Sequence, residues 1–419
     1  MQEVIRIEGG RKLNGSVTIS SSKNATVALI PAAILSNGPV TLTGVPDIAD
    51  VESLAEILRI LKVDVLEDGQ HLIIDPTMME NTDLEQDVVT RLRASYYFMG
   101  ALLGKYGKVR IKMPGGCYLG PRPIDLHIKG FEALGAKVEY ERGGYTITCD
   151  HLVGNRIFLD IASVGATINI MMAAVYADGR TTIENAAKEP EIIDVATLLN
   201  KMGANVRGAG TNVITIDGVQ SLYGCYHEII PDRIEAGTFL VMAAACAEEM
   251  VINNVIPKHI EALTSKLMEM GVKMDIGIDT ITVYGGAELH AVDVTTKPYP
   301  GFATDLQQPL TALLTQAQGI SQVVDTIYAE RFKHCIELQR MGAQIEIGTG
   351  TSKITGPTKL YGDKVTATDL RCGASLVIAG LIAEGITEIR GVHHIDRGYD
   401  DIDGKLKKLG ARIHRAMID

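Results

Sequence analysis

The residue types best suited to chemistry lie in two short stretches. The first is Pro114-Gly115-Gly116-Cys117-Tyr118-Leu119-Gly120-Pro121-Arg122-Pro123. Three glycines and three prolines in ten residues exclude a helix or a central strand, which leaves a surface loop. The loop runs into the helical pattern IDLHIKGFEAL, with Pro123 near its first turn. A thiol on such a loop, five residues from Arg122, has a stabilised thiolate and can act as nucleophile or acid. A partly exposed thiol of no consequence is the alternative. The second stretch is Ser20-Ser21-Ser22-Lys23-Asn24-Ala25-Thr26, which opens an apolar helix. Helix starts favour anions, so a cation at Lys23 opposes the dipole and calls for a compensating anion. A lysine covering apolar surface is the alternative.

Other apolar stretches also begin with polar residues: Arg93, Ser163-Val164-Gly165, Asp232-Arg233, Thr304-Asp305 and Asp369-Leu370-Arg371. Any one of Asp232, Asp305 and Asp369 is expected to be a helix N-cap. Asp305 in FATDLQQPL is the exception if it faces a substrate as a base. Arg331 and Arg397 stand near the starts of amphipathic helices, with solvated charge as the alternative reading.

These residues are carried by a repeat. A Leu or Met followed by Gly-Ala or Gly-Val and an alternating strand recurs at Lys62, Gly135, Gly203, Gly271, Gly342 and Gly410, at intervals of 73, 68, 68, 71 and 68 residues. Each repeat carries one helix apolar on most sides, such as VGATINIMMAAVYA, and one with an apolar stripe, such as Ile260, Leu263, Leu267 and Met270. Short β-branched runs separate them. The unit reads strand, helix, strand, helix, strand, strand, which predicts an α/β fold. Residues 4–20 read as a hairpin-like pair that completes the sixth unit. The expected domains are therefore 22–230 and 1–21 plus 231–419. Two chain crossings restrict them to a hinge-like motion, and the cleft between them is the expected ligand site, with helix starts and cations converging on it.

At 419 residues, with 46% hydrophobic and 22% charged residues, the chain has length for two cores. A net charge of −11 argues against nucleic acid as a partner. No secretory signal is visible, and no apolar run is long enough to insert in a membrane. Six cysteines without C-x-x-C pairing suit a cytoplasmic protein with reduced thiols, five of them in packing contexts. There is no phosphate-binding G-x-x-x-x-G-K-[ST] loop and no G-x-G-x-x-G after a strand. The His393-His394 and Asp396 spacing is too generic to argue for a metal.

Together the motifs SKNA, RLRAS, PGGC–LG–RPIDLHI, SVGATINIM, ENAAKEPEI, PDRIEAGTFLV, ATDL and HIDRGYD resemble the UDP-N-acetylglucosamine enolpyruvyl transferases over the whole chain. The resemblance implies a two-domain inside-out α/β barrel, each domain three pseudo-symmetric βαβαββ units. It implies transfer of the enolpyruvyl group of phosphoenolpyruvate to the 3-hydroxyl of UDP-N-acetylglucosamine with release of phosphate, at the start of peptidoglycan precursor synthesis. It implies no metal, no organic cofactor and no obligate protein partner. By the same resemblance Asp305 is the hydroxyl base, Cys117 the proton donor that can form an adduct, and Asp369 a position coupled to catalysis. Lys23, Arg122 and Arg397 match phosphoenolpyruvate contacts, with Arg93, Arg331 and Arg371 beside them. Asn24, Arg122, Pro123, Ile124, Asp125, Leu126, Ser163, Val164, Gly165, Asp305 and Ile327 match the UDP-sugar site. Three positions depart from the pattern. Ser21-Ser22 replaces Gly-Ala, YAERF replaces the commoner ENRF, and Lys62 replaces the cap glycine. Two other readings stand beside this one: an enolpyruvyl transferase acting on shikimate 3-phosphate, to which the cysteine loop is foreign, and a non-catalytic UDP-sugar binder.

Overall fold

A computed structural model describes residues 1–113, 115 and 124–418; Cys117, Arg122 and Pro123 lie outside the described residues. The described residues form two compact units, one of residues 1–20 and 231–418, the other of 21–113, 115 and 124–230. Each has its own hydrophobic core, running from Ala25 to Ile229 in one and from Ile5 to Ile413 in the other. No helix among the described residues is long and apolar enough to cross a membrane.

Among the described residues there are five four-stranded sheets and one of three strands. The four-stranded sheets share one plan. In one of them Arg156–Phe158 pairs in parallel with Arg180–Glu184, Val213–Asp217 lies antiparallel beside the latter, and Asn205–Arg207 forms the edge. The apolar helix Val164–Ala174 joins the first two strands, and the amphipathic helix Pro190–Lys201 follows the second. In the three-stranded sheet (Lys108–Lys112, Gly144–Thr148, Lys137–Glu141) a single parallel bridge from Leu84 to Ile111 stands where the first strand runs elsewhere.

The hairpin expected at residues 4–20 does not form. Gln2–Glu8 pairs with Ile386–Arg390 and Arg412–Ile418, whereas Leu13–Thr18 pairs in parallel with Ala247–Asn253. One strand closes the sixth sheet and the next opens the fourth. The cause is the end of the helix Leu370–Ile382: Gly10 N–H donates to Leu381 O at 2.9 Å, and a Cβ on Gly9 would sit 2.0 Å from Ala383 O. The chain is drawn along that helix end instead of folding back.

The six repeat positions after the amphipathic helices all have positive φ: 56° at Lys62, and 98°, 108°, 100°, 105° and 97° at Gly135, Gly203, Gly271, Gly342 and Gly410. At the first, Val63 N–H returns to Leu58 O at 3.0 Å, closing the helix end. Of the six, Lys62 alone carries a Cβ into this left-handed turn, at a cost of about 1 kcal/mol. Its ammonium forms an exposed ion pair with Glu80, at 2.8 Å, which contributes little. Lys62→Gly is therefore expected to raise the melting temperature by about 2 °C, read by calorimetry; a lower midpoint would mean the ion pair outweighs the backbone strain.

Candidate active site

In the unit 21–230 the candidate residues stand at helix starts. Ser22 is extended (φ −60°, ψ 117°), buried, and accepts Ala25 N–H at 3.1 Å through its hydroxyl. The Ser21-Ser22 departure is thus an unstrained N-cap to the helix Lys23–Ala33. Lys23 pairs with Asp50 at 3.2 Å, with side chains 14% and 4% exposed. Asp50 lies in the first turn of Ala49–Ile60, where a carboxylate suits the dipole, and it supplies the anion expected beside Lys23. Asn24 follows in the same first turn as Lys23.

Arg93 opens the 3₁₀ turn Arg93–Tyr96 ahead of the helix Tyr97–Tyr106. Its guanidinium lies 5.7 Å from the Tyr96 ring centre, and that ring packs on His127 at 4.8 Å. Asn169 joins these elements. Its amide donates to Tyr96 O at 3.0 Å and to His127 Nδ1 at 2.8 Å, while its oxygen accepts Gly100 N–H at 2.9 Å. Burial and then the Arg93 charge push His127 down to about 3, so it stays neutral with Nδ1 as acceptor. Gly165 packs against the same group: a Cβ there would lie 2.4 Å from Tyr96 Oη and 2.9 Å from His127 Cε1. Ser163 caps the helix Val164–Ala174 by accepting Ala166 N–H at 3.2 Å. Ile124 is buried just before the helix Asp125–Ala133, with Asp125 exposed and Leu126 half-buried.

In the other unit Asp305 stands within the 3₁₀ turn Thr304–Leu306, whose N-cap position is taken by Ala303. Its Oδ1 accepts Arg331 Nη1 at 2.7 Å and its Oδ2 accepts Arg371 Nη2 at 3.2 Å. Both arginines are almost fully buried, while the carboxylate keeps 25% of its surface exposed. An ionised carboxylate is the partner two guanidinium groups bind best. Asp369 and Asp232 are N-caps: Asp369 Oδ1 accepts the N–H groups of Arg371 and Cys372 at 3.0 and 3.1 Å, and Asp232 Oδ1 those of Ile234 and Glu235 at 2.8 and 2.9 Å. The second Asp369 oxygen faces Gln308 Nε2 at 3.4 Å. Arg371 also lies over the Tyr399 ring at 5.3 Å, and the Tyr399 hydroxyl meets Thr238 at 2.9 Å. The three apolar helices of this unit are so connected, by Asp305, Arg371 and the Tyr399–Thr238 pair, the last reaching the second turn of Arg233–Cys246. Arg397 caps the short helix Val392–Asp396, two residues before Tyr399. Ile327 is 38% exposed, in the segment between the strand Gly319–Val324 and Arg331.

The same unit holds a second buried ion pair. Glu235, 2% exposed, contacts the Lys405 ammonium and accepts Ser20 N–H at 2.7 Å. Lys405 also donates to the Ser20 hydroxyl at 2.7 Å. Burial pushes the Glu235 carboxyl up to about 7, against Lys405 and the Ser20 amide, which hold it down. Burial likewise pushes Cys246, Cys335 and Cys372 up to about 12, so these three are packing thiols.

A family profile described as EPSP synthase (3-phosphoshikimate 1-carboxyvinyltransferase) matches residues 7–406. The chain belongs to the EPSP synthase family. Curated relatives in it include "UDP-N-acetylglucosamine 1-carboxyvinyltransferase 2" of Geobacillus kaustophilus, 58% identical over 414 residues, covering 99% of this chain and 97% of the relative. The protein of the same name from Bacillus subtilis is 57% identical over 417 residues, with the same coverage. Among solved structures, the enolpyruvyl transferase NikO from Streptomyces tendae matches with a TM-score of 0.91 and 26% identity over the whole of both chains. EPSP synthase from Acinetobacter baumannii matches with a TM-score of 0.76 and 18% identity over the whole of both chains, a likeness of fold alone. The two-domain α/β architecture is that of this family.

For this member of the EPSP synthase family, sequence reasoning missed Asp50, Tyr96, His127, Asn169, Asp325, Tyr399 and the Glu235–Lys405 pair. Most are recognisable only through partners distant in sequence, such as Asn169 with Gly100. Asp325 carried a local signal: an Asp after a β-branched run whose side chain can accept N–H groups two and three residues on.

Proposed function

We propose that the chain transfers the enolpyruvyl group of phosphoenolpyruvate to the 3-hydroxyl of UDP-N-acetylglucosamine, releasing phosphate and supplying a precursor of peptidoglycan. The observation that carries the reading is the partly exposed Asp305 carboxylate gripped by the buried Arg331 and Arg371. The relatives at 57–58% identity over nearly the whole chain support the choice of acceptor.

The reaction needs a base for the hydroxyl proton, an acid for the methylene of phosphoenolpyruvate, and cations for phosphate and carboxylate. In this reading Asp305 takes the proton from the sugar hydroxyl. Protonation of the methylene by Cys117 makes carbon two electrophilic, the sugar oxygen adds there, and loss of a methyl proton expels phosphate and restores the double bond, now as an enol ether of the sugar. Lys23, Arg122 and Arg397 hold phosphoenolpyruvate, with Arg93, Arg331 and Arg371 beside them. Asn24, Pro123, Ile124, Asp125, Leu126, Ser163, Val164, Gly165 and Ile327 form the UDP-sugar site, and Asp369 supports catalysis by holding the helix that presents Arg371. Cys117, Arg122 and Pro123 enter on resemblance alone. The reading includes domains 22–230 and 1–21 plus 231–419, together an inside-out α/β barrel fold with three units in each domain, and a cytoplasmic location.

Phosphate release from phosphoenolpyruvate, measured with each acceptor in turn, tests the proposal. Release with UDP-N-acetylglucosamine alone is expected. Release with shikimate 3-phosphate alone would transfer the chain to the other branch, and release with neither would make it a binder.

Gly165→Ala probes the sugar site. The added methyl must displace the Tyr96 ring and with it Arg93, because Asn169 holds His127 on the other side. Ala suits a helix better than Gly by about 1 kcal/mol, which offsets part of the ~1–3 kcal/mol that such overpacking costs, so a melting temperature only a few degrees lower is expected. UDP-N-acetylglucosamine affinity by titration calorimetry is expected to fall about tenfold, the equivalent of one lost charged hydrogen bond. Unchanged affinity would remove Gly165 from the site.

A further inference from the structure

We infer that Asp325 is a positioning residue for the Arg331–Asp305 pair and acts through the Thr304 hydroxyl. The inference rests on the reading of Asp305 as the base. Asp325 is 3% exposed. Its Oδ1 accepts the Thr296 hydroxyl at 2.8 Å and the Ile327 and Tyr328 N–H groups at 2.9 Å each. These bonds shape the segment that carries Ile327 and leads to Arg331. Its Oδ2 accepts the Thr304 hydroxyl at 2.8 Å.

Thr304 has one proton to give, and Asp325 takes it. A lone pair of the hydroxyl is then turned toward Arg331 Nη1, at 3.1 Å. The same nitrogen donates to Asp305 Oδ1 at 2.7 Å. Its two hydrogens so go one to Thr304 and one to Asp305, and the guanidinium plane is set. Gln307 Nε2 anchors the Arg331 carbonyl at 3.0 Å. Asp325, an acceptor only, fixes where the Thr304 proton points, and the guanidinium, a donor only, fixes the other two bonds. A base must be held within a few tenths of an ångström of its proton, so a loosened guanidinium costs turnover more than binding.

An asparagine in place of Asp325 would keep a carbonyl oxygen for the three Oδ1 bonds but would present a donor to Thr304. The hydroxyl would then face two donors and send its proton elsewhere. The test compares Asp325→Asn, Thr304→Val, Thr304→Ser and the Asp325→Asn/Thr304→Val double variant. Each of the first two is expected to lower kcat about tenfold with the KM for phosphoenolpyruvate unchanged. Thr304→Ser restores kcat, and the double variant is no slower than the slower single. Losses that multiply in the double variant, or an Asp325→Asn protein with wild-type kcat, would overturn the inference. A measurement free of turnover separates this from the function itself. The side-chain nitrogen resonance of Arg331, assigned with Arg331→Lys, is expected to move in both Asp325→Asn and Thr304→Val. If the wild type turns over neither acceptor, the function reading fails, and this resonance alone decides the relay: movement in both variants supports it, and a fixed resonance overturns it.

Discussion

Asp305→Asn is expected to lower turnover by about 10²- to 10⁴-fold, the range a positioned general base supplies. The amide keeps the size of the carboxylate, so UDP-N-acetylglucosamine still fits. It cannot take the hydroxyl proton, and one of its two polar atoms now turns an N–H toward Arg331 or Arg371. Leaving a buried guanidinium without its acceptor costs about 1–3 kcal/mol or more, so a lower melting temperature is expected alongside. Rapid-quench measurement of phosphate release, with sugar affinity from calorimetry, separates the two effects. Turnover within tenfold of wild type in a folded protein would remove Asp305 as the base.

The other large effect is on stability. Lys405→Met removes the cation from a carboxylate that is 2% exposed. Breaking a buried pair in this way costs about 3–5 kcal/mol. The loss depends on pH. With Lys405 gone, burial of Glu235 is less opposed, and its folded value rises further above the ordinary carboxylate value near 4.5. A group raised on folding contributes stability fully below its unfolded value and loses it as pH rises through the folded one. The variant is therefore expected to be most damaged at pH 8 and least at pH 5. Urea unfolding of wild type and variant at both values checks this. A difference that does not change with pH would mean that Glu235 stays ionised without its partner. Lys405→Met/Glu235→Leu, which removes both charges, is expected to recover most of the loss.

The helix starts were legible because their signals are local. Ser163, Asp232 and Asp369 are short acceptors placed before apolar runs, and each caps its helix. Lys23 announced an anion by standing at the wrong end of a dipole, but only the fold shows that Asp50, on another helix, supplies it. Asp305 read like Asp232 and Asp369, as an acid at a helix start, and only the family resemblance gave it the role of base; that two buried arginines grip it could not be read from the sequence. The mistaken hairpin has the same origin. Alternation reports that residues 2–8 and 13–18 are strands, and says nothing of which sheet receives each. That depended on close packing of Gly9 against a helix end more than 370 residues away in sequence.

Order along the chain, with period, turn chemistry and small polar caps, was enough to define six repeated units and two cores, because those depend on neighbours within a few residues, and the resemblance of short motifs supplied the family of the reaction. Which charges meet was decided only when the chain closed. A carboxylate's partners are chosen by distance in space, and Asp305 with Arg371, Asn169 with Gly100 and Glu235 with Lys405 are separated by 66, 69 and 170 residues.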